Sequence, residues 1–582
     1  MAGSASHLTR RQRLIRYGLP GACLLLAALG LVVSWRRDTA ADRWMAQMRA
    51  KGEKFTYAEL GLERPARPDP VLEALEVASA RFKALEQIAI AAPFQDLDGP
   101  PPGSRLVSWR EPRLYAVTHR VLDWNAAGTV ADQLEPSLAA LHTALRVPTD
   151  DPGWNYAEPD LFGGAPVFAS HRVVAQSLHE LIMVELRRNN LAAAHRDLLT
   201  LIRLCRLNAD GWTLVTQMIR TALLGLTSDA VWNALQASGW TEDQLREIQQ
   251  ELEPAVVIPQ LPRTFEAERV GNLAEFDRYL REGPSSRAWS WQFTTTKRPS
   301  AWLEQSSFFF WRVARSGKDR LLFLQYQQQV IDRHRQLATG VAFRELGPHP
   351  EPAQSWWNRT AMAQSLFPLS TPPDFRRATA TVVRNDTERL LAIAALALER
   401  YRLRHGQYPG ALGDLEPEFL TAVPKDAISG EPLQYQLPPN GRPLLYSVGF
   451  NGRDDNGDAG PDPTATADFY PPVERDLVWR RPVAPGDESA GPALPKTDPQ
   501  PAPVLPLVEF KGATLRDAII TLARQAEINL MFDPAVLGSL KKRLTFRLQD
   551  VTAREALEIM LRKYGLRLEE DPTTRITRIT RQ

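Results

Sequence analysis

The chain has 582 residues, too many for one ordinary core, and at about 150 residues per domain it is expected to hold several domains. Its 70 Lys and Arg nearly balance 68 Asp and Glu, with no basic block or aromatic–basic stripe, which argues against nucleic-acid binding. Only two cysteines occur, Cys23 and Cys205, so neither a disulfide framework nor a cysteine zinc cage is expected.

Reading from the N-terminus, Tyr17–Trp35 is an uncharged, mostly apolar run of 19 residues behind Arg10, Arg11, Arg13 and Arg16. About 20 helical residues cross a bilayer core, and a basic flank stays on the cytoplasmic side. The pattern predicts a cytoplasmic tail over 1–16, a transmembrane helix over 17–35 and a periplasmic bulk: a single-pass bacterial inner-membrane protein. A cleaved signal peptide is the rival reading, opposed by Arg36, Arg37 and Asp38 just after the apolar run.

Residues 40–380 read as an α-helical bundle or hairpin array. His171–Arg188 puts Val174, Leu178, Leu181 and Ile182 on one face, Asn189-Asn190 breaks the pattern, and Leu191–Leu207 resumes it with Ala194, Leu198, Leu201 and Cys205. A third helix is predicted over about 212–237, and Thr241 with Gln244 forms a capping box opening a fourth that stops at Pro254. His179-Glu180 begins like a zinc-protease motif, but Met183 stands where the second histidine belongs. His171 and His179 are two turns apart, too far for one metal, and His179 is expected to be a partly exposed imidazole. Trp289, Trp291, Trp302, Phe308, Phe309, Phe310 and Trp311, like Trp356-Trp357, predict core packing or an aromatic partner-binding surface.

From about 381 to 480 the text changes. An amphipathic helix over Asn385–His405 runs into a stretch dense in Gly and Pro. Its markers are Tyr401, His405, Gly406, Tyr408, Pro409, Leu415, Pro424, Lys425, Asp426, Gly430, Pro432, Tyr435, Tyr446, Ser447, Gly449, Asn451 and Gly452. This string resembles the globular end of the major pseudopilin of type II secretion, which implies an α+β module with a helix packed on a small antiparallel sheet. The resemblance also implies calcium in the last loop. Asn451–Asp462 reads NGRDDNGDAGPD, and Asp454, Asp455, Asn456, Asp458 and Asp462 are the candidate ligands. Ala459 stands where an EF-hand needs Gly, and no Glu follows at position twelve, so this is no EF-hand. A solvated Gly/Asp turn is the alternative.

Pro482–Pro506 carries eight prolines and is expected to be a semi-extended linker. Residues 507–582 predict the order β-α-β-β-α-β-β, with Thr552 and Glu555 as a capping box for the second helix. VEFKGATLRDAIITLARQAEINLMFDPAV and LTFRLQDVTAREALEIMLRKYGLRLEED resemble the short N-terminal domain shared by secretins and TonB-dependent receptors. That resemblance implies a protein-docking unit without chemistry. No G-x-S-x-G, Walker A, G-x-G-x-x-G, H-E-x-x-H or C-x-x-C occurs. The expectation is a multidomain α plus α+β chain acting as a non-enzymatic envelope scaffold or adaptor for a secretin or pilus-assembly partner. A signalling protein, or an enzyme with its site in 40–380, are the alternatives.

Overall fold

A computed structural model describes residues 40–62, 70–84, 104–110, 114–115, 121–122, 124–146, 166–207, 211–283, 308–309, 311–312, 316–350, 375–460, 475–482, 504–525, 530–532, 536, 540, 542–570 and 577–581. The chain divides into two compact units, Met1–Ser489 and Ala490–Gln582.

The long helices described in the larger unit are α1 (Pro70–Ala84), α2 (Trp124–Ala144), α3 (Pro166–Arg187), α4 (Leu191–Arg206), α5 (Leu214–Ala234), α6 (Glu242–Leu252), α7 (Leu261–Glu282), α8 (Ser316–Ala338) and α9 (Arg376–His405). Local chemistry sets their ends. Asn189 adopts a left-handed φ of 58°, and the Asn190 side chain accepts the Ala193 N–H, so α3 turns directly into α4. Thr213 accepts the Thr216 N–H at the start of α5, and Thr241 with Gln244 closes the expected capping box on α6. α9 ends at Gly406 (φ 77°), a left-handed stop that glycine adopts without a Cβ penalty.

One apolar core runs through this unit. It takes Leu75 and Phe82 from α1, Leu138 and Leu141 from α2, Leu178 and Ile182 from α3, and Leu198 and Ile202 from α4. It continues without a break into Leu391, Leu396 and Leu398 of α9, then Leu415, Phe419, Leu445 and Leu477. α9 starts at Arg376 rather than Asn385, because Thr379, Val382 and Val383 are already buried. It is tied to α6 by Arg400, whose guanidinium donates to Glu242 at 2.7 Å and to Gln249 at 2.9 Å.

After α9 come strands β4 (Gln434–Gln436), β5 (Leu444–Ser447) and β6 (Leu477–Trp479), in one antiparallel sheet of order β4-β5-β6. Two-residue strands β1 (Ser104–Arg105) and β7 (Arg481–Pro482) pair in parallel, and β2 (Leu114–Tyr115) pairs with β3 (Val121–Leu122). The smaller unit holds β8 (Val504–Thr514), α10 (Leu515–Gln525), β9 (Leu530–Phe532), β10 (Arg543–Thr552), α11 (Ala553–Lys563), β11 (Leu566–Glu570) and β12 (Thr577–Arg581).

Two expectations are corrected. The expected multidomain α plus α+β class gives way to a chain whose described residues are mostly helical, with few strands. Among the described residues no helix is long and apolar enough to cross a membrane, which overturns the single transmembrane helix and the single-pass inner-membrane placement. The physical reason is charge. α9 has the length, but it carries Arg376, Arg377, Arg384, Asp386, Glu388 and Arg389 in its first half, and hydrocarbon tolerates few such groups. The expected span, Tyr17–Trp35, lies outside the described residues, as does most of the proline-rich segment.

Candidate functional site

In the smaller unit, α10 and α11 present apolar stripes at helical spacing. Leu515, Ala518, Ile519 and Leu522 meet Ala556, Leu557, Met560 and Leu561 in a separate core closed by Val536, Leu540, Phe546, Leu566 and Ile579. Thr552 accepts the Glu555 N–H at 3.2 Å, and Glu555 accepts the Thr552 N–H at 2.9 Å, so α11 starts where β10 ends. The Thr552 N–H and the Thr552 hydroxyl both donate to the Glu555 carboxylate at 2.9 Å and hold it below its usual range. Gly565, at φ 69°, then turns the chain into β11.

Two small sheets result. β8 and β10 form an antiparallel ribbon, and β11-β12-β9 form a second sheet in which β12 and β9 run parallel. Among the described residues, neither β8 nor β10 has a second neighbour. Among the described residues each therefore has one side without a strand partner, the feature that strand addition uses. Lys563 at the end of α11 lies over the Phe546 ring of β10, 5.8 Å from its centroid.

The acidic loop follows β5. The Asp454 carboxylate accepts from the Tyr446 hydroxyl and the Asn456 N–H, both at 2.9 Å, while Asp455 accepts from the Asn451 amide at 2.9 Å. Asp458 accepts the Gly460 N–H and pairs with Arg475, and these contacts hold its carboxyl low. Burial, with help from Asp454, pushes Tyr446 up to about 12. Asp476, fully buried, accepts the Gly457 N–H at 2.7 Å, and burial raises its carboxyl. Asp462 lies outside the described residues. Among the described residues no three His, Cys, Asp or Glu side chains converge to hold a metal. The described carboxylates of the loop are turned to N–H, O–H and guanidinium donors.

Asp426, Ser447 and Gly449 come together in the structure. Asp426 accepts the Ile428 and Ser429 N–H groups at 2.8 and 2.6 Å and the Ser447 hydroxyl at 2.5 Å. Ser447 Oγ in turn accepts the Gly449 N–H. Gly449 has φ 62°, and a Cβ there would meet the Arg475 carbonyl oxygen at 2.8 Å.

One polar cluster has no counterpart in any sequence pattern. His179, expected to be partly exposed, is half-buried, with Nε2 2.6 Å from Asp229 Oδ2. Arg105 pairs with the same carboxylate, and the Asn233 amide donates to it at 3.1 Å. Burial, then the Arg105 charge, pushes His179 down to about 4, so the ring is neutral at pH 7 and its Nε2–H donates to Asp229. Asn233 also accepts the Ser108 N–H, and the Arg105 guanidinium lies over the Trp232 ring. The cluster fastens segment 104–110 to α3 and α5. Its members are scattered along the chain, and no local pattern signals it. The aromatic segment divides: Phe308 and Trp311 pack on Phe276 and Tyr279, while Phe309 stays 55% exposed. Trp289, Trp291, Trp302, Phe310, Trp356 and Trp357 lie outside the described residues.

No family model, curated protein or solved structure matches this chain.

Proposed function

We propose that the chain is a non-enzymatic binding scaffold whose C-terminal unit docks a protein partner. The observation carrying this is the make-up of residues 504–582: a separate compact unit with its own core and two small sheets with open strand edges, joined to the rest through a segment rich in proline. A small unit of this kind contributes surface and backbone pairing. The larger unit, with one continuous core from α1 to β6, supplies a rigid platform. The resemblances of residues 381–480 and 507–582 point to a secretion- or pilus-type protein as the partner.

The test is photo-crosslinking from positions spread over 507–582 of the full chain in the organism's own cells, with partners identified by mass spectrometry. A secretin or pilus-assembly component among the adducts is the expected result. Adducts only to residues 40–482 of the same chain would overturn the proposal.

A further inference from the structure

The smaller unit offers several strand edges, and they are not equivalent. β8 contains Pro506, which has no N–H to donate, and its ladder with β10 skips Gly512, the extra residue of a bulge. β9 is three residues long. β11 has five residues and ends in Glu569-Glu570. β10 is ten residues long (RLTFRLQDVT), has neither Pro nor Gly, and carries no extra residue in its register with β8. Every residue of β10 can donate and accept, and every second one turns those groups away from β8.

Charge is also uneven. Residues 507–582 hold 14 Lys and Arg against 10 Asp and Glu, although the whole chain is nearly balanced. The surplus gathers at one end of β10. Lys542 and Arg547 are exposed, Arg543 opens the strand, and Lys511 stands opposite Thr545 in the register. Arg562 and Lys563 at the end of α11 are exposed, with Lys563 lying over Phe546. Three acids offset this: Glu509 opposite Arg547, Asp550 towards the far end of β10, and Glu558, 4.0 Å from Arg562.

We infer that the open edge of β10 is the docking line, and that its occupant is an extended, acidic segment of a partner protein, added as a neighbouring strand. The inference rests on the docking role proposed above and specifies its edge and its ligand chemistry. Backbone pairing along an uninterrupted edge supplies affinity without demanding a particular sequence. The basic end from Lys542 to Arg547, with Lys563 beside it, selects acidic side chains and rejects basic ones. Edge lysines elsewhere serve to repel unwanted strands. An acidic strand is the kind that such a guard admits.

The experiment uses the full chain in its own cells, with a photo-crosslinking residue at Thr545 or Arg547 on β10, or at Arg567 or Glu569 on β11. Crosslinked peptides are sequenced by mass spectrometry. The expected result is adducts from 545 and 547 to a partner segment free of Pro with Asp and Glu in excess. With the crosslinker at 545, the double charge reversal Lys542→Glu with Arg547→Glu should reduce those adducts at least tenfold while the thermal unfolding profile is unchanged. Adducts from 567 and 569 alone would overturn the β10 inference and leave the docking role standing. So would a basic partner segment, a second copy of this chain on β10, or an unaffected yield in the double variant. Adducts from none of the four positions, with none elsewhere in 507–582, would remove both.

Discussion

The buried charges of the larger unit are held by neighbours distant in sequence, and the consequences are measurable one residue at a time. Burial raises the Glu268 carboxyl above its ordinary value of 4.5, against the Leu214 N–H that it accepts at 2.9 Å. The fold therefore disfavours the ionised form, and the contribution of Glu268 to stability is lost as pH rises through its folded-state value. Glu268→Gln keeps the acceptor for Leu214 and abolishes the ionisation. Its stability relative to the parent should rise with pH above about 4.5, read by urea unfolding across a pH series. Asp426 gives a larger effect of the opposite sign. Asp426→Ala strands the Ile428 and Ser429 N–H groups and the Ser447 hydroxyl in a buried site, and should cost about 3 kcal/mol in the same assay. At this scale the sequence was half readable. Pro424-Lys425-Asp426 and Tyr446-Ser447-x-Gly449 stood out as motifs, and their meeting explains why Asp, Ser and Gly are needed there. The Asp229 cluster was invisible because Arg105, His179 and Asp229 share no local pattern. The acidic loop showed its composition in the sequence but not its hydrogen bonds.

Among elements, helices with polar caps and regular apolar spacing were the most legible. The hairpin at Asn189-Asn190 and the boxes at Thr241 and Thr552 are where the sequence places them. Boundaries set by tertiary burial were not. α9 extends nine residues before Asn385, and β8 begins at Val504, inside the expected linker, because their partners come from elsewhere in the chain. Close helix contacts were equally silent. A Cβ on Gly225 of α5 would lie 2.4 Å from Asn385 Oδ1 of α9. Gly225→Ala should destabilise by about 1–2 kcal/mol despite the better helix propensity of alanine. Adding Asn385→Ala should recover part of that loss. A double-mutant cycle by chemical denaturation checks this, and strictly additive effects would show that the two side chains do not collide.

At the scale of the whole molecule, the largest apolar cluster of the described residues belongs to one compact unit and the next largest to the other. Unfolding should accordingly show two transitions in scanning calorimetry. Leu557 is fully buried in the smaller core, and Leu557→Ala should lower one transition, by about 2–5 kcal/mol, and leave the other in place. A single shared transition, shifted as a whole, would mean that the units unfold together. The sequence signalled the change of texture near residue 381 but not that the same core crosses it. Apolar spacing reports which face of a helix is buried, and it is silent on what lies opposite.

That crossing core bears on how the protein can be cut. α9 is a 30-residue helix, about 45 Å long, with Val382 and Val383 buried near its start and Leu396 and Leu398 near its end. A fragment begun at residue 381 to isolate the strand-bearing segment would strip α5 and α6 from this helix. Leu391, Ala392 and Leu398 would be left to water, and Arg400 would lose Glu242 and Gln249. Such a fragment should collect in inclusion bodies, whereas a cut within 483–503 leaves the core of each unit whole.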